Sequence, residues 1–170
     1  HTLYVNTFGK VPAALTEAGA TVCATGKEVA QKADIVIVMV PDTPDVAAVL
    51  FTDNGVASGL SKGKTVVDMS SISPIETKEF AQQIEASGAD WLDAPVSGGE
   101  VGAKAASLTI MVGGRDEVFA RLQPLLAQQL RLPSNRRSIE GPDLGQQLLG
   151  IDRFDDVVAR ALAHAPDLVG

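Results

Sequence analysis

DIVIVMVPD, Asp34 to Asp42, decides the fold. Six apolar residues, five of them β-branched, run without polar alternation from Ile35 to Val40 and stop at Pro41. The run is too short for a core helix and has no solvent face, so it reads as a strand buried on both sides. Strands of that kind belong to parallel sheets whose two faces are covered by helices.

The flanking sequence fits that architecture. Upstream, Thr2 to Asn6 and Ala20 to Ala24 read as strands. Between them, Val11 to Glu17 reads as a helix, with Pro12 in the first turn and Gly19 at the C-terminal cap. Thr25 and Glu28 have capping-box spacing and open a helix through Gln31. Downstream, Thr43 and Pro44 start a helix through Leu50, and Asn54-Gly55 marks a turn. Thr65 to Asp68 is a strand, and Ser73, Pro74 and Glu76 open a helix that runs to Ser87 and stops at Gly88. Trp91 to Asp93 and Ser107 to Val112 are extended, and Asp116 to Ala127 is an amphipathic helix. Strands alternating with capped helices predict a doubly wound, mainly parallel α/β sheet. Its core is expected at Ile35, Val36, Ile37, Val38, Val66, Val67, Ile110 and Val112.

Residues 1–127 form the expected domain, and residues 128–170 a tail of different character. RLPSNRRSIEGPD, starting at Arg131, has no apolar period and reads as loop. A helix over residues 153–163 follows from the spacing of Phe154, Val157, Val158, Ala161 and Leu162.

Composition narrows the function. The 170 residues carry 14 Lys and Arg against 21 Asp and Glu, a net charge of −7, which argues against a nucleic-acid surface. One cysteine, Cys23, and two histidines, His1 and His164, exclude a disulfide framework and make no metal site. No apolar run reaches the ~18 residues of a membrane span, so the expectation is a soluble, cytoplasmic protein with no membrane partner.

In a doubly wound sheet, ligands bind beyond the carboxyl ends of the strands. Those ends are Val40-Pro41-Asp42, Asp68-Met69-Ser70-Ser71-Ile72, and Asp93 through Gly99. Ser97-Gly98-Gly99 offers a hydroxyl and unshielded backbone amides, a loop able to hold a carboxylate without a basic side chain. Read on spacing alone, it is more often a glycine turn that only reverses the chain; Ser70-Ser71 reads as a strand-to-helix connection and Asp42 as a turn residue.

The motifs VMVPDTPDVAAVLF (Val38 to Phe51), GKTVVDMSSISPIETK (Gly63 to Lys78) and DAPVSGGEVGAKAASLTIMVGG (Asp93 to Gly114) resemble those of the β-hydroxyacid dehydrogenases, over about His1 to Leu126. The resemblance implies a Rossmann-like NAD(P)-binding domain and hydride transfer between NAD(P)H and a short hydroxy acid or semialdehyde, the small-molecule substrate. It implies that Ser97, Gly98 and Gly99 hold the substrate carboxylate. It implies that Met39, Val40 and Pro41 pack on the dinucleotide and that Ser71 and Ile72 lie beside the nicotinamide ribose. The family opens with a strand and a Gly-rich turn that this sequence lacks; it starts near the second strand. The family's proton-donating lysine has no counterpart, Lys104 being the last lysine, so no catalytic residue is assigned. Ala106 replaces a usual glycine. The family's homo-oligomer is built with a helical domain that this sequence does not carry, and is not expected of it. After the strand ending at Val5 come Asn6, Thr7 and the basic Lys10 with no carboxylate, which favours NADP over NAD, with Asn6 and Thr7 as cofactor-binding candidates. The competing readings are a catalytically inactive remnant and a nucleotide- or anion-binding module.

Overall fold

The structure is a computed structural model that describes residues 2–99, 101–102, 108–129 and 147–150. They divide into two compact units, His1–Leu92 and Asp93–Gly170.

The first unit opens with β1 (Tyr4–Val5), α1 (Ala13–Glu17) and β2 (Thr21–Val22). β1 and β2 pair in parallel, Tyr4 with Thr21 and Val5 with Val22, as a separate two-stranded sheet. α2 (Gly26–Lys32) follows, then β3 (Ile35–Val38), α3 (Thr43–Phe51), a 3-10 turn at Val56–Gly59, β4 (Thr65–Asp68), α4 (Pro74–Ala86) and β5 (Asp90–Asp93). β3, β4 and β5 lie side by side, and β3 and β4 run parallel, with Ile35 opposite Thr65 and Val38 opposite Asp68. The result is a Rossmann-like α/β arrangement.

The capping box read from the sequence at Thr25 and Glu28 is formed. The Thr25 hydroxyl accepts from the Glu28 amide (3.1 Å), while the Glu28 carboxylate reaches back to the Ala24 amide (2.8 Å). Asp42 caps α3 by accepting from the Thr43 amide (2.7 Å), which makes it a helix cap and not merely a turn residue. Ser73 stands at the N-cap of α4 but makes no side-chain cap bond to the helix backbone.

β4 matches its expected bounds, and the other strands are shorter or shifted at their ends. Thr2 to Asn6 and Ala20 to Ala24 contract to two residues each, and Ile35 to Val40 ends at Val38. The core expectation fails at Ile37, which is 44% exposed, and is only half met at Ile35. The cause is position. Successive side chains of a strand point to opposite faces. Val36 and Val38 turn into a cluster with Ala30 of α2, Val46 and Leu50 of α3, and Val56. Ile35 and Ile37 look the other way. β3 is the terminal strand of its sheet, and no described element buries Ile37. The expectation that this strand is buried on both faces is therefore overturned for one of its two faces.

In the second unit, β6 (Val96–Ser97) pairs antiparallel with β7 (Thr109–Gly114), and β7 pairs antiparallel with β8 (Gln147–Gly150). Neither β6 nor β8 was expected from sequence. The last described helix, α5 (Asp116–Gln129), carries Val118, Leu122 and Leu126, which are buried, as are Leu108, Ile110 and Val112. The expected loop beginning at Arg131 and helix over residues 153–163 lie outside the described residues.

Candidate functional site

The first unit brings two of the expected strand ends together. β3 stops at Val38 and β4 at Asp68, and the Met69 amide donates to the Val38 carbonyl (2.8 Å) as the last ladder bond. Beyond it, side chains continue the connection. The Ser70 hydroxyl accepts from the Val40 amide (3.1 Å), and the Ser70 amide donates to the Asp68 carboxylate (2.9 Å). One step further out, the Ser73 amide donates to the Thr43 hydroxyl (3.2 Å), tying the start of α4 to the start of α3. The turns Met39–Pro41 and Ser71–Ile72 are thus neighbours. Val40 and Ile72 both pack, half-buried, against the same hydrophobic cluster. Met39 is half-buried, and Pro41 and Ser71 are exposed.

Here two helix starts and two strand ends meet, with apolar surface at Val40 and Ile72 and an exposed hydroxyl at Ser71. Such an edge offers apolar contact and hydroxyl hydrogen bonding to a flat, polar ligand. The acidic groups around it differ in state. Burial pushes the Asp68 carboxyl above the usual range, against the opposing effect of its bonds from Ser70. The Ser73 hydroxyl donates to Glu76 and holds its carboxyl below the usual range.

Asn6 and Thr7 stand apart at the end of β1. The Asn6 amide donates to the Cys23 carbonyl (3.0 Å), and the Thr7 hydroxyl donates to the Gly9 carbonyl (2.8 Å). Both are exposed, as is Lys10. Cys23 itself is buried, and its thiol pKa is raised, chiefly by burial.

In the second unit, Ser97, Gly98 and Gly99 are exposed at the end of β6. Gly98 has φ +133° and Gly99 φ +57°. A Cβ on Gly98 would lie 2.9 Å from Leu108 Cδ2, so backbone angle and space both demand glycine there. At Gly99 the space is open and only the angle favours glycine. A helical turn opens at Gly99, and the Gly102 amide donates to the Gly98 carbonyl (2.9 Å). The loop is a built conformation and not a loose reversal.

Sequence reasoning missed the parts played by Asp68, Ser70 and Thr43. The one available signal was a polar residue closing the otherwise apolar strand TVVD. Among the described residues no group of three or more His, Cys, Asp or Glu is placed to hold a metal ion, and no helix is long and apolar enough to cross a membrane.

Comparison with known proteins places this architecture. The chain is 54% identical over 125 residues to 2-hydroxy-3-oxopropionate reductase of Escherichia coli (strain K12), covering 74% of this chain and 43% of that protein. The crystal structure of 3-hydroxyisobutyrate dehydrogenase from Salmonella typhimurium superposes with a TM-score of 0.60 at 36% identity, over 67% of this chain and 40% of that one. Psf3 in complex with NADP+ and 2-OPP superposes with a TM-score of 0.61 at 30% identity, over 65% and 39% of the two chains. The chain thus spans less than half the length of these relatives. Residues 2–130 match the family described as the NAD binding domain of 6-phosphogluconate dehydrogenase, and with that match covering most of the sequence and containing both strand-end turns, the chain belongs to this NAD-binding-domain family.

Proposed function

We propose that residues 1–127 are the dinucleotide-binding part of an oxidoreductase that transfers a hydride between NAD(P)H and a short hydroxy acid or semialdehyde such as tartronate semialdehyde, with residues 128–170 outside that part. The observation that carries the reading is the hydrogen-bonded convergence of Met39–Pro41 with Ser71–Ile72 at adjacent strand ends. In a doubly wound sheet this edge is where a dinucleotide lies. Val40 and Ile72 supply apolar contact, and Ser71 supplies a hydroxyl for a ribose. The cofactor when bound supplies the hydride; this chain's residues orient it. Asn6, Thr7 and Lys10, with no carboxylate among them, favour NADP over NAD, because an acidic residue there would repel the 2′-phosphate. Relatives named for oxidation or reduction of short hydroxy acids support the substrate class. Ser97, Gly98 and Gly99 take the substrate carboxylate, through backbone amides left open by the two glycines.

The same reading expects little turnover from these 170 residues, because no lysine follows Lys104 to protonate a carbonyl oxygen. General acid assistance is typically worth ~10²–10⁴-fold in rate. The test is titration of the purified chain with NADPH and with NADH, followed by an assay of tartronate semialdehyde reduction. Saturable NADPH binding with background reduction is the expected result. Absence of binding to either cofactor by a folded chain contradicts the proposal.

A further inference from the structure

We propose that Asp68 and Ser70 are positioning residues, a side-chain clip that sets the spacing of the Val40–Pro41 and Ser71–Ile72 turns before a dinucleotide binds. The inference rests on the functional reading above for what the turns receive, but the clip itself is a feature of the ligand-free chain.

The backbone ladder between β3 and β4 ends with the bond from Met69 to Val38. The next amide of β3's exit, that of Val40, points past the ladder and is taken by the Ser70 hydroxyl (3.1 Å), 30 residues away in sequence. Ser70 is in turn oriented by its amide bond to Asp68 Oδ1 (2.9 Å). The path Asp68–Ser70–Val40 therefore converts the ladder's last rung into a fixed geometry for the turn outside it. Both polar residues are buried, Asp68 at 0% and Ser70 at 2% exposure. Among the described residues Asp68 Oδ2 has no hydrogen-bond partner. A buried carboxylate with one unpaired oxygen is costly. Stability alone would be better served by an apolar side chain closing TVVD, so the carboxylate's contribution lies in what it orients. The Thr43–Ser73 bond separately joins the starts of α3 and α4, the helices that follow these strands (3.2 Å), so loss of the clip loosens the turn without separating the helices.

The experiment uses the full chain in four variants. Ser70→Ala removes the acceptor for the Val40 amide. Asp68→Ala removes the group that orients Ser70, and Asp68→Asn restores an oxygen acceptor of the same shape. Ser87→Ala removes a hydroxyl that bonds the Ile84 carbonyl (2.6 Å) at the end of α4, and sets the scale of a purely structural loss. Amide hydrogen exchange is read by NMR without ligand, and NADPH affinity by titration. With one net hydrogen bond lost, Ser70→Ala is expected to speed exchange of the Val40 amide about tenfold relative to Val67, and to weaken NADPH binding by about the same factor. Asp68→Ala follows it in direction, Asp68→Asn recovers most of the loss, and Ser87→Ala changes neither readout. Unchanged Val40 exchange in Ser70→Ala, or a uniform acceleration that includes Val67, overturns the clip. If the unaltered chain does not titrate with NADPH, the functional reading fails, while ligand-free Val40 exchange still decides the clip.

Discussion

β3 and β4 are adjacent parallel strands of four residues each, IVIV and TVVD, and they are buried very differently. All four residues of β4 are buried, a threonine and an aspartate among them. β3 is the more apolar, yet Ile37 is 44% exposed. A strand's burial is thus set by what lies on either side of it and over each face, not by its own composition. β4 has a hydrogen-bonded neighbour on both edges, while β3 ends its sheet. Hydrophobicity drew β3 into the sheet but did not bring cover to its second face. The aspartate of β4, by contrast, is buried deeply enough for desolvation to raise its pKa.

Charge placed on each strand gives the largest expected contrast. Val66→Asp buries an unpaired carboxylate at a site with 0% exposure and is expected to cost more than about 4 kcal/mol, enough to unfold a marginal domain. Ile37→Asp is expected to cost less than about 1 kcal/mol. Near-ultraviolet circular dichroism of the single, buried Trp91 reports the loss or retention of the packed core. Equal damage from the two substitutions would mean that Ile37 is covered in solution.

Truncation makes a gentler version. Val66→Ala removes two buried methyl groups and is expected to cost about 2 kcal/mol by urea unfolding, whereas Ile37→Ala should stay within about 0.5–1 kcal/mol. A larger loss at Ile37 than at Val66 would reverse the assignment of interior and edge.

The second unit poses the same question of position against residue type at two consecutive glycines. Gly98→Val meets both a disfavoured φ of +133° and a contact with Leu108 at 2.9 Å, and is expected to cost ~1–3 kcal/mol. It should also remove any amide shift that a small hydroxy acid induces at Ser97 to Gly99. Gly99→Asn, at φ +57° in open space, should fall within about 0.5 kcal/mol. Similar costs at both positions would show that the Leu108 contact does not constrain the loop.

Asp68 provides the subtlest comparison, through pH. Its folded-state pKa is raised above the unfolded value by burial. Its contribution to stability is therefore fully present below the ordinary aspartate range, and is lost as pH rises from there through the raised folded value. Asp68→Asn does not titrate. The stability of the unaltered chain relative to Asp68→Asn is thus expected to fall as pH increases through that window, as read from urea midpoints. A relative stability that instead rises with pH would mean that Ser70's hydrogen bonds outweigh desolvation.

Much of this was legible in the sequence, for identifiable reasons. Thr65 to Asp68 gave its own bounds because its neighbours, Lys64 and Met69, flank a compact β-branched run. Thr25 with Glu28, Thr43-Pro44 at a helix start, and Gly19 and Gly88 at helix ends act through local geometry, and local geometry is written in neighbouring residues. The strand-end turns at Val40 and Ser71 followed from the alternation of strands and helices. What could not be read was which face of β3 would be left open, since that depends on sheet order. Nor could the pairing of Ser70 with Val40 be read, because a contact across 30 residues leaves no local pattern. The antiparallel pairing of β6 with β7 was hidden for another reason: two residues, Val96 and Ser97, are too short a strand to show any periodicity.

The central claim is that the paired ends of β3 and β4 receive a dinucleotide. Its most direct test is an amide-resolved NMR titration of the full chain with NADPH. Saturable shifts centred on Met39, Val40, Ser71 and Ile72 are expected, with Val66 and Val67 little affected. Saturable binding whose shifts fall elsewhere, or a folded chain that shows no shifts at all, would contradict it.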